Sequence, residues 1–187
     1  MTATLTLEAT VAALHRGGVI AYPTEAVWGL GCDPFDAAAV RRLLAIKQRE
    51  ESKGLILIAA NLAQIASLIE RDALPPVRIA AVLATWPGPN TWLLPCTTLV
   101  PGWLRGDHAT LALRVTAHPG AAALCAAFGG PVVSTSANRA GAAPARKLEQ
   151  LHPALLAQLD GVLDGETGGL DAPTTIRDAA SGTLLRA

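Results

Sequence analysis

The sequence is poor in several residue types that define whole classes of protein. Only three cysteines, Cys32, Cys96 and Cys125, occur among 187 residues, with no Cys-x-x-Cys pair and no metal-ligand spacing with histidine. This pattern excludes a disulfide framework and a zinc site and favours a reducing compartment. Aromatic residues make up 4% and charged residues 16% of the chain, whereas hydrophobic residues reach 51%. A composition this apolar excludes intrinsic disorder as the main state.

The chain also lacks an excess charge and a membrane-spanning run. Lys and Arg number 15 and balance 15 Asp and Glu, so any basic binding face must be local. No stretch approaches the ~18 apolar residues of a membrane span, and residues 1–10 have neither a basic start nor a continuous apolar run. We therefore expect a cytoplasmic protein without membrane contact.

Short apolar runs alternate with amphipathic segments, which is typical of an α/β domain. Strands are predicted at residues 19–22, 55–59, 91–94, 111–115, 132–135, 161–163, 174–177 and 183–186. Asp33 and Asn61 are each expected to cap a helix, and an Ala-rich helix is expected between Pro119 and Gly129. Short, closely spaced segments after residue 161 favour some antiparallel pairing. We predict a single domain over residues 1–187, without an appended C-terminal domain, built on a mixed open sheet with flanking helices.

Residues 22–33 form the first segment with polar residues where folding alone does not demand them. The segment contains Thr24, Glu25 and two glycines, and it follows a predicted strand and precedes a predicted helix. Such strand-to-helix crossovers at the carboxyl edge of an open sheet often bind ligands, because loop and helix N–H groups are free to meet anions. A connecting loop with a local cap at Thr24 explains the same residues.

Residues 41–53 hold five of the fifteen basic residues and two of the three lysines. If the helix ends near Lys47, then Lys47 and Arg49 point to one side of an extended segment and form a two-pronged clamp for anions. The alternative is a solvated helix end, where cations lie favourably against the helix dipole.

Residues 131–141 read as a buried strand that ends in hydroxyl and amide side chains. In an extended backbone, Ser134, Ser136 and Asn138 share one face and offer donors and acceptors to phosphate and ribose oxygens. Turn formation at the end of the strand explains the same residues.

The sequence carries no Walker-type phosphate loop, no dinucleotide-binding glycine motif and no hydrolase nucleophile elbow. Its motifs, taken in order, instead resemble those of the YrdC-like family of threonylcarbamoyl-AMP synthases, most closely the short bacterial members. These motifs are Pro23-Thr24-Glu25, Gly29-Leu30-Gly31, Lys47-x-Arg49, Trp86-Pro87-Gly88-Pro89, Arg114-Val115-Thr116-x-His118-Pro119, Ser134-Thr135-Ser136-Ala137-Asn138 and Pro173-Thr174-Thr175-Ile176. They span almost the whole chain, and the ordered set is far more specific than any single motif.

The resemblance implies a YrdC-like fold with a twisted sheet and a concave ligand-binding groove. It also implies a nucleotidyltransferase that forms threonylcarbamoyl-AMP and pyrophosphate from L-threonine, bicarbonate and ATP. The product serves the threonylcarbamoyl modification of adenosine 37 in tRNA, so a downstream threonylcarbamoyl-transferase complex is the expected partner. Magnesium is expected to arrive with ATP, and no metal site built by the protein is predicted.

Matching the family motifs residue by residue assigns roles to eight side chains. Lys47 and Arg49 are the implied catalytic residues, which bind the carbamate and the ATP phosphates. Ser136 and Asn138 are implied to bind ATP with them. The implied threonine pocket consists of Thr24, Arg114, Ser134 and Thr174, with Arg114 facing the substrate carboxylate.

The competing hypothesis is a non-catalytic accessory factor that binds tRNA or double-stranded RNA. The family fold is associated with a concave basic surface, which five residues are candidates to line: Arg41, Arg42, Lys47, Arg49 and Lys53. A net charge of zero makes strong nonspecific RNA affinity unfavourable and leaves weak binding open.

Overall fold

A computed structural model describes residues 3–138 and 142–186 of the chain. The described strands are β1 (Thr4–Leu5), β2 (Ile20–Pro23), β3 (Trp28–Gly31), β4 (Ile56–Ala59), β5 (Asn90–Pro95), β6 (Thr110–Val115), β7 (Val132–Ser136), β8 (Gly161–Leu163), β9 (Thr175–Asp178) and β10 (Leu184–Arg186). The α-helices are α1 (Leu7–His15), α2 (Ala37–Lys47), α3 (Pro76–Leu83), α4 (Gly102–Arg105), α5 (Pro119–Phe128) and α6 (Pro153–Leu156). Within these residues no helix is both long and apolar enough to cross a membrane.

The strands form one mixed sheet in the order β1-β8-β2-β3-β7-β4-β6-β5-β9-β10. The pairs β1–β8, β2–β8, β4–β6 and β5–β9 are parallel, and the remaining neighbours are antiparallel. The predicted mixed α/β sheet is therefore confirmed, including the antiparallel pair β9–β10 late in the chain.

All eight predicted strands are present, with boundaries shifted by one residue at most, but two further strands were not predicted. One of them, β3, pairs antiparallel with β2 and β7. The prediction of a strand-to-helix crossover at residues 22–33 is therefore wrong, because these residues form a β-hairpin before the chain continues to α2. Gly31 allows this tight packing, since a Cβ there would come within 2.7 Å of the Tyr22 ring and 2.8 Å of the Val133 carbonyl oxygen.

Helix boundaries follow local capping chemistry, with two departures from prediction. Helix α2 begins after Asp36, whose carboxylate accepts hydrogen bonds from the N–H groups of Ala38 and Ala39, rather than after Asp33. Asn61 caps only a 3-10 turn (Leu62–Gln64), so the helix predicted there is wrong. The chain then makes a second turn and Ile69 pairs with Cys96 in a β-bridge, which a continuous helix would prevent.

The Ala-rich helix α5 is confirmed between its predicted ends. The His118 ring accepts the N–H of Ala121 at its start, and Gly129 ends the helix in the left-handed region at φ 85°. Helices α1, α3, α4 and α6 were not predicted.

Side chains alternate between the two faces of the sheet along each strand, so a hydrophobic core forms on each face. Val133, Leu57 and Leu113 pack in the larger core, whereas their chain neighbours Val132 and Ile58 pack in the smaller core. Helices α1 and α5 pack together over the smaller core, against β2 and, for α5, β4. They cover only one end of that face, and the uncovered end forms a groove.

Candidate active site

The groove has a cavity volume of about 580 Å³ and uses the sheet itself as its floor. In strand register, Ser134 lies beside Ile56, Ile56 beside Ala112, and Ala112 beside Leu93. All four line the groove, because residues opposite one another in neighbouring strands face the same side. The floor is thus an apolar row with a serine at one end.

All eight side chains assigned from the sequence line this one groove: Thr24, Lys47, Arg49, Arg114, Ser134, Ser136, Asn138 and Thr174. They come from the β2–β3 turn, the end of α2, strands β6 and β7, and the residue before β9. Residues separated by up to 150 positions in the chain therefore meet in one cavity. Residues 139–141, the end of the polar segment in the sequence, lie outside the described residues.

Lys47 is the last residue of α2, and its ammonium group lies against the end of β7. Its Nζ donates to Asn138 O and Oδ1, both at 2.6 Å, to Ser136 Oγ at 3.2 Å and to the Ser136 carbonyl oxygen. The lysine is 7% exposed, and burial together with nearby Arg49 lowers the pKa of Lys47 to about 8. The structure thus brings together the lysine and the Ser-x-Asn pair, which the sequence separates by about 90 residues.

Arg49 follows Lys47 around a turn rather than along an extended segment. Gln48 adopts the left-handed conformation at φ 52° and closes the helix, so the predicted extended geometry is wrong although both cations reach the groove. Arg49 Nη2 donates to Gly54 O at 2.9 Å and to Lys53 O at 3.3 Å. Burial lowers the pKa of the Arg49 guanidinium, and the two carbonyl contacts hold its plane in place.

Arg114 lies on β6 among hydroxyl groups and one carboxylate. Its Nη1 donates to Thr174 Oγ1 at 2.8 Å and to Thr91 Oγ1 at 3.3 Å, and its Nη2 lies 3.3 Å from Glu25 Oε2. Arg114 is 3% exposed. Thr24, in the hairpin turn, donates its hydroxyl to Val27 O at 2.7 Å, so it caps locally and lines the groove as well.

Sequence reasoning missed several groove residues, of which Arg186 is the most informative. Strand β10 returns antiparallel to β9 and brings Arg186 to the groove, where its Nη2 donates to Thr174 O at 3.1 Å. Burial, Arg114 and Arg49 together lower the pKa of Arg186. Arg105 and His108, next to β6, also line the groove. No motif marks these three residues, because their proximity depends on strand pairing.

The groove carries a positive charge that acidic side chains do not balance. Among residues 3–138 and 142–186, Lys47, Arg49 and Arg186 take part in no ion pair, whereas Arg114 is paired with Glu25. Unpaired cations at the wall of a groove attract polyanions such as phosphates. In the same described part of the chain, no group of three or more His, Cys, Asp or Glu side chains has a metal-binding arrangement.

Two of the five basic residues considered for an RNA surface lie outside the groove. Lys47, Arg49 and Lys53 line the groove, but Arg41 and Arg42 do not. Arg42 instead pairs with Asp160 at 2.5 Å and donates to Gln158 O. The groove therefore contains three of the five candidates, and an RNA-binding surface stays a prediction.

The sequence matches a known protein family and individual proteins over most of its length. The model of the Sua5, YciO and YrdC family, described as "Telomere recombination", matches residues 12–187. A threonylcarbamoyl-AMP synthase of Stenotrophomonas maltophilia is 59% identical over 182 residues, which are 97% of this chain and 98% of that protein. A threonylcarbamoyl-AMP synthase of Xanthomonas euvesicatoria is 59% identical over 186 residues, which are 100% of both chains.

Solved structures share the fold over nearly the whole chain. Sua5 of P. abyssi, crystallised with L-threonine, has a TM-score of 0.86 at 25% identity and covers 95% of this chain. This chain spans only 54% of that longer protein. YciO of E. coli has a TM-score of 0.85 at 26% identity, covering 100% of this chain and 95% of its own.

Proposed function

This chain belongs to the Sua5, YciO and YrdC family, and from that premise we propose that its groove forms threonylcarbamoyl-AMP and pyrophosphate from L-threonine, bicarbonate and ATP. Relatives named threonylcarbamoyl-AMP synthase match it at 59% identity over essentially their full length. The single observation that carries the proposal is the convergence of all eight assigned side chains on one groove.

The chemistry demands a site that gathers several anions. The amine of threonine and bicarbonate condense to a carbamate with loss of water, and a carbamate oxygen then attacks the α-phosphorus of ATP. A new P–O bond forms while the bond to the bridging oxygen breaks, and its electron pair leaves with pyrophosphate. Such phosphoryl chemistry depends mainly on positioning and on fixed positive charge.

Lys47 and Arg49 supply that fixed charge in the proposal. Both are groove-lining cations without an acidic partner in the described part of the chain, and Arg49 is held by two backbone carbonyl groups. Preorganised cations stabilise the charge that develops on the leaving pyrophosphate. Ser136 and Asn138 hold the Lys47 ammonium and line the groove beside it, where the proposal assigns them to ATP. The Asn138 amide nitrogen also donates to Ala142 O.

The threonine pocket in the proposal lies around Arg114. Arg114 donates a hydrogen bond to the Thr174 hydroxyl. Ser134 and Thr24 add two further hydroxyl groups to the same groove. The relative from P. abyssi was crystallised with L-threonine, which supports an amino-acid site in this fold. The half-buried apolar floor beside Ser134 suits the methyl group of threonine.

Magnesium enters the proposal as part of the ATP substrate, because hard cations prefer oxygen ligands and the phosphates supply them. Transfer of the product to a threonylcarbamoyl-transferase complex and a cytoplasmic location are part of the same proposal. Direct binding of tRNA or double-stranded RNA stays a prediction, and the structure offers only Lys47, Arg49 and Lys53 of the five basic residues for it in the groove.

The decisive experiment measures pyrophosphate released from ATP by the purified protein. Release is expected only when L-threonine and bicarbonate are both present, because the attacking group is their carbamate. Release at the same rate without threonine would overturn the proposal. Serine as the added amino acid is expected to be a poorer substrate.

A further inference from the structure

One buried carboxylate lies next to the proposed threonine pocket without lining the groove. Glu25 is 5% exposed, and its Oε1 accepts the Thr116 hydroxyl at 2.7 Å and the Ala117 N–H at 3.3 Å. Its Oε2 lies 3.3 Å from Arg114 Nη2. The carboxylate therefore connects the hairpin turn after β2 with the end of β6.

The backbone around Glu25 is closed by a glycine-rich segment. Gly168 donates its N–H to Thr24 O at 3.0 Å, and Leu170 donates to Glu25 O at 3.1 Å. A Cβ at Gly168 would come within 3.0 Å of the Glu25 carbonyl oxygen. The His118 ring nitrogen Nε2 contacts Glu166 O at 2.9 Å and anchors the same segment. These contacts hold the backbone of Glu25 in place and thereby fix the position of its carboxylate.

A buried ion pair of this kind is poor evidence for stability, because removing two charges from water offsets most of their attraction. Orientation of a functional group is the better-supported role here. Glu25 meets one end of the Arg114 guanidinium, while Thr174 and Thr91 meet the other. Within the described residues neither Arg114 Nε nor Glu25 Oε2 has a hydrogen-bond partner, so Glu25 acts on the guanidinium through the ion pair at 3.3 Å, beside the two threonine hydroxyl groups.

The pair also changes the charge of its part of the groove. Arg114 is compensated by Glu25, whereas Lys47 and Arg49 have no acidic partner among the described residues. In the sheet register Arg114 lies opposite Ile58, and Ile58 lies opposite Val132, four residues before Ser136. This offset is roughly 13 Å along the strands. A compensated arginine suits a substrate with one carboxylate, and the uncompensated cations suit a polyphosphate.

We propose that Glu25 is a positioning residue that orients and neutralises Arg114 and thereby makes this part of the groove selective for the amino-acid substrate over phosphates. The inference rests on the proposed function. Glu25 acts through Arg114 and does not touch the substrate, so its loss changes the affinity for threonine more than the affinity for ATP.

The test uses the full chain with Glu25→Gln, which preserves the shape and the Oε1 acceptor but removes the negative charge. We expect the KM for threonine to rise roughly tenfold or more, while the KM for ATP changes less than about twofold and kcat at saturating threonine stays near the parental value. Calorimetric titration with L-threonine alone should show the same loss of affinity. Asp160→Asn is the matched control, since it removes an arginine partner outside the groove and should leave both KM values unchanged.

Equal changes in both KM values, or an unchanged threonine affinity in a folded variant, would overturn the proposal. If Glu25→Gln does not fold, Thr116→Val decides, because it removes the shorter of the two hydrogen bonds to Oε1 and should raise the threonine KM in the same direction by a smaller factor. A parent protein that binds threonine but releases no pyrophosphate refutes the proposed function alone, and calorimetry still tests Glu25. A parent that does not bind threonine overturns both.

Discussion

Replacing Arg49 by lysine separates the geometry of this cation from its charge. In the folded protein the guanidinium donates through Nε and Nη2 to Gly54 O, at 3.3 Å and 2.9 Å, and through Nη2 to Lys53 O at 3.3 Å. Two backbone carbonyl groups thus occupy one edge of the fork and leave the other edge for an anion in the groove. A lysine has a single nitrogen and cannot hold the turn and meet the anion with the same geometry.

The expected loss is one charge-assisted hydrogen bond in the transition state, which is worth about 1.5 to 3 kcal/mol. This corresponds to a decrease of roughly 10- to 150-fold in the rate of threonylcarbamoyl-AMP formation. The assay is pyrophosphate release at saturating ATP and bicarbonate, with the midpoint of thermal unfolding as the measure of folding. Arg41→Lys is the matched control, because Arg41 is exposed on α2, the helix that precedes Arg49, and does not line the groove.

Near-parental activity of Arg49→Lys would refute the reasoning. Arg49 would then be a structural residue that holds the turn at residues 51–54, and Lys47 would be the remaining cation assigned to the chemistry. A fall in activity that matches the fall in thermal stability would point the same way.

The remaining predictions concern three other groove residues. Ser136→Ala should lower the rate of threonylcarbamoyl-AMP synthesis by roughly 2- to 12-fold. Thermal stability should change little, because the Lys47 ammonium keeps its other oxygen contacts. Equal complementation of a synthase-deficient strain by mutant and parent would contradict this and favour the RNA-binding alternative. The pKa of about 8 at Lys47 predicts that kcat/KM for ATP falls as the pH rises through that value, since only the protonated amine carries charge. Lys47→Arg should show a weaker fall over the same range, and an identical pH profile would assign the transition to another group. Ile56→Ala should reduce the preference for threonine over serine by roughly fivefold, because Ile56 lies beside Ser134 on the groove floor. Leu93→Ala, further along the same row, is its control, and an equal effect of both changes would exclude a specific methyl contact.

Much of the secondary structure follows from local sequence. The eight predicted strands are runs of apolar and β-branched residues, and α5 begins and ends at the residues that cap it. Strand β3 escaped prediction because Trp28-Gly29-Leu30-Gly31 contains two glycines, which disfavour a strand in isolation. Its pairing with β2 and β7 makes it a strand. At residues 61–69 the helical spacing of the apolar residues predicted a helix that does not form, because Ile69 pairs with Cys96 in a β-bridge.

The chemical composition of the site also follows from the sequence. Lys47, Arg49 and the Ser134-Thr135-Ser136-Ala137-Asn138 run are local motifs. Ser134 and Ser136 lie two residues apart within β7, as predicted, whereas Asn138 lies beyond the end of that strand. The arrangement of these groups was decided by tertiary structure. Glu25 meets Arg114 and Arg186 enters the groove only because of strand order and the β9–β10 return. Periodicity describes which way a side chain points along its own strand, whereas the neighbours it meets depend on packing between segments distant in the chain, which no local pattern encodes.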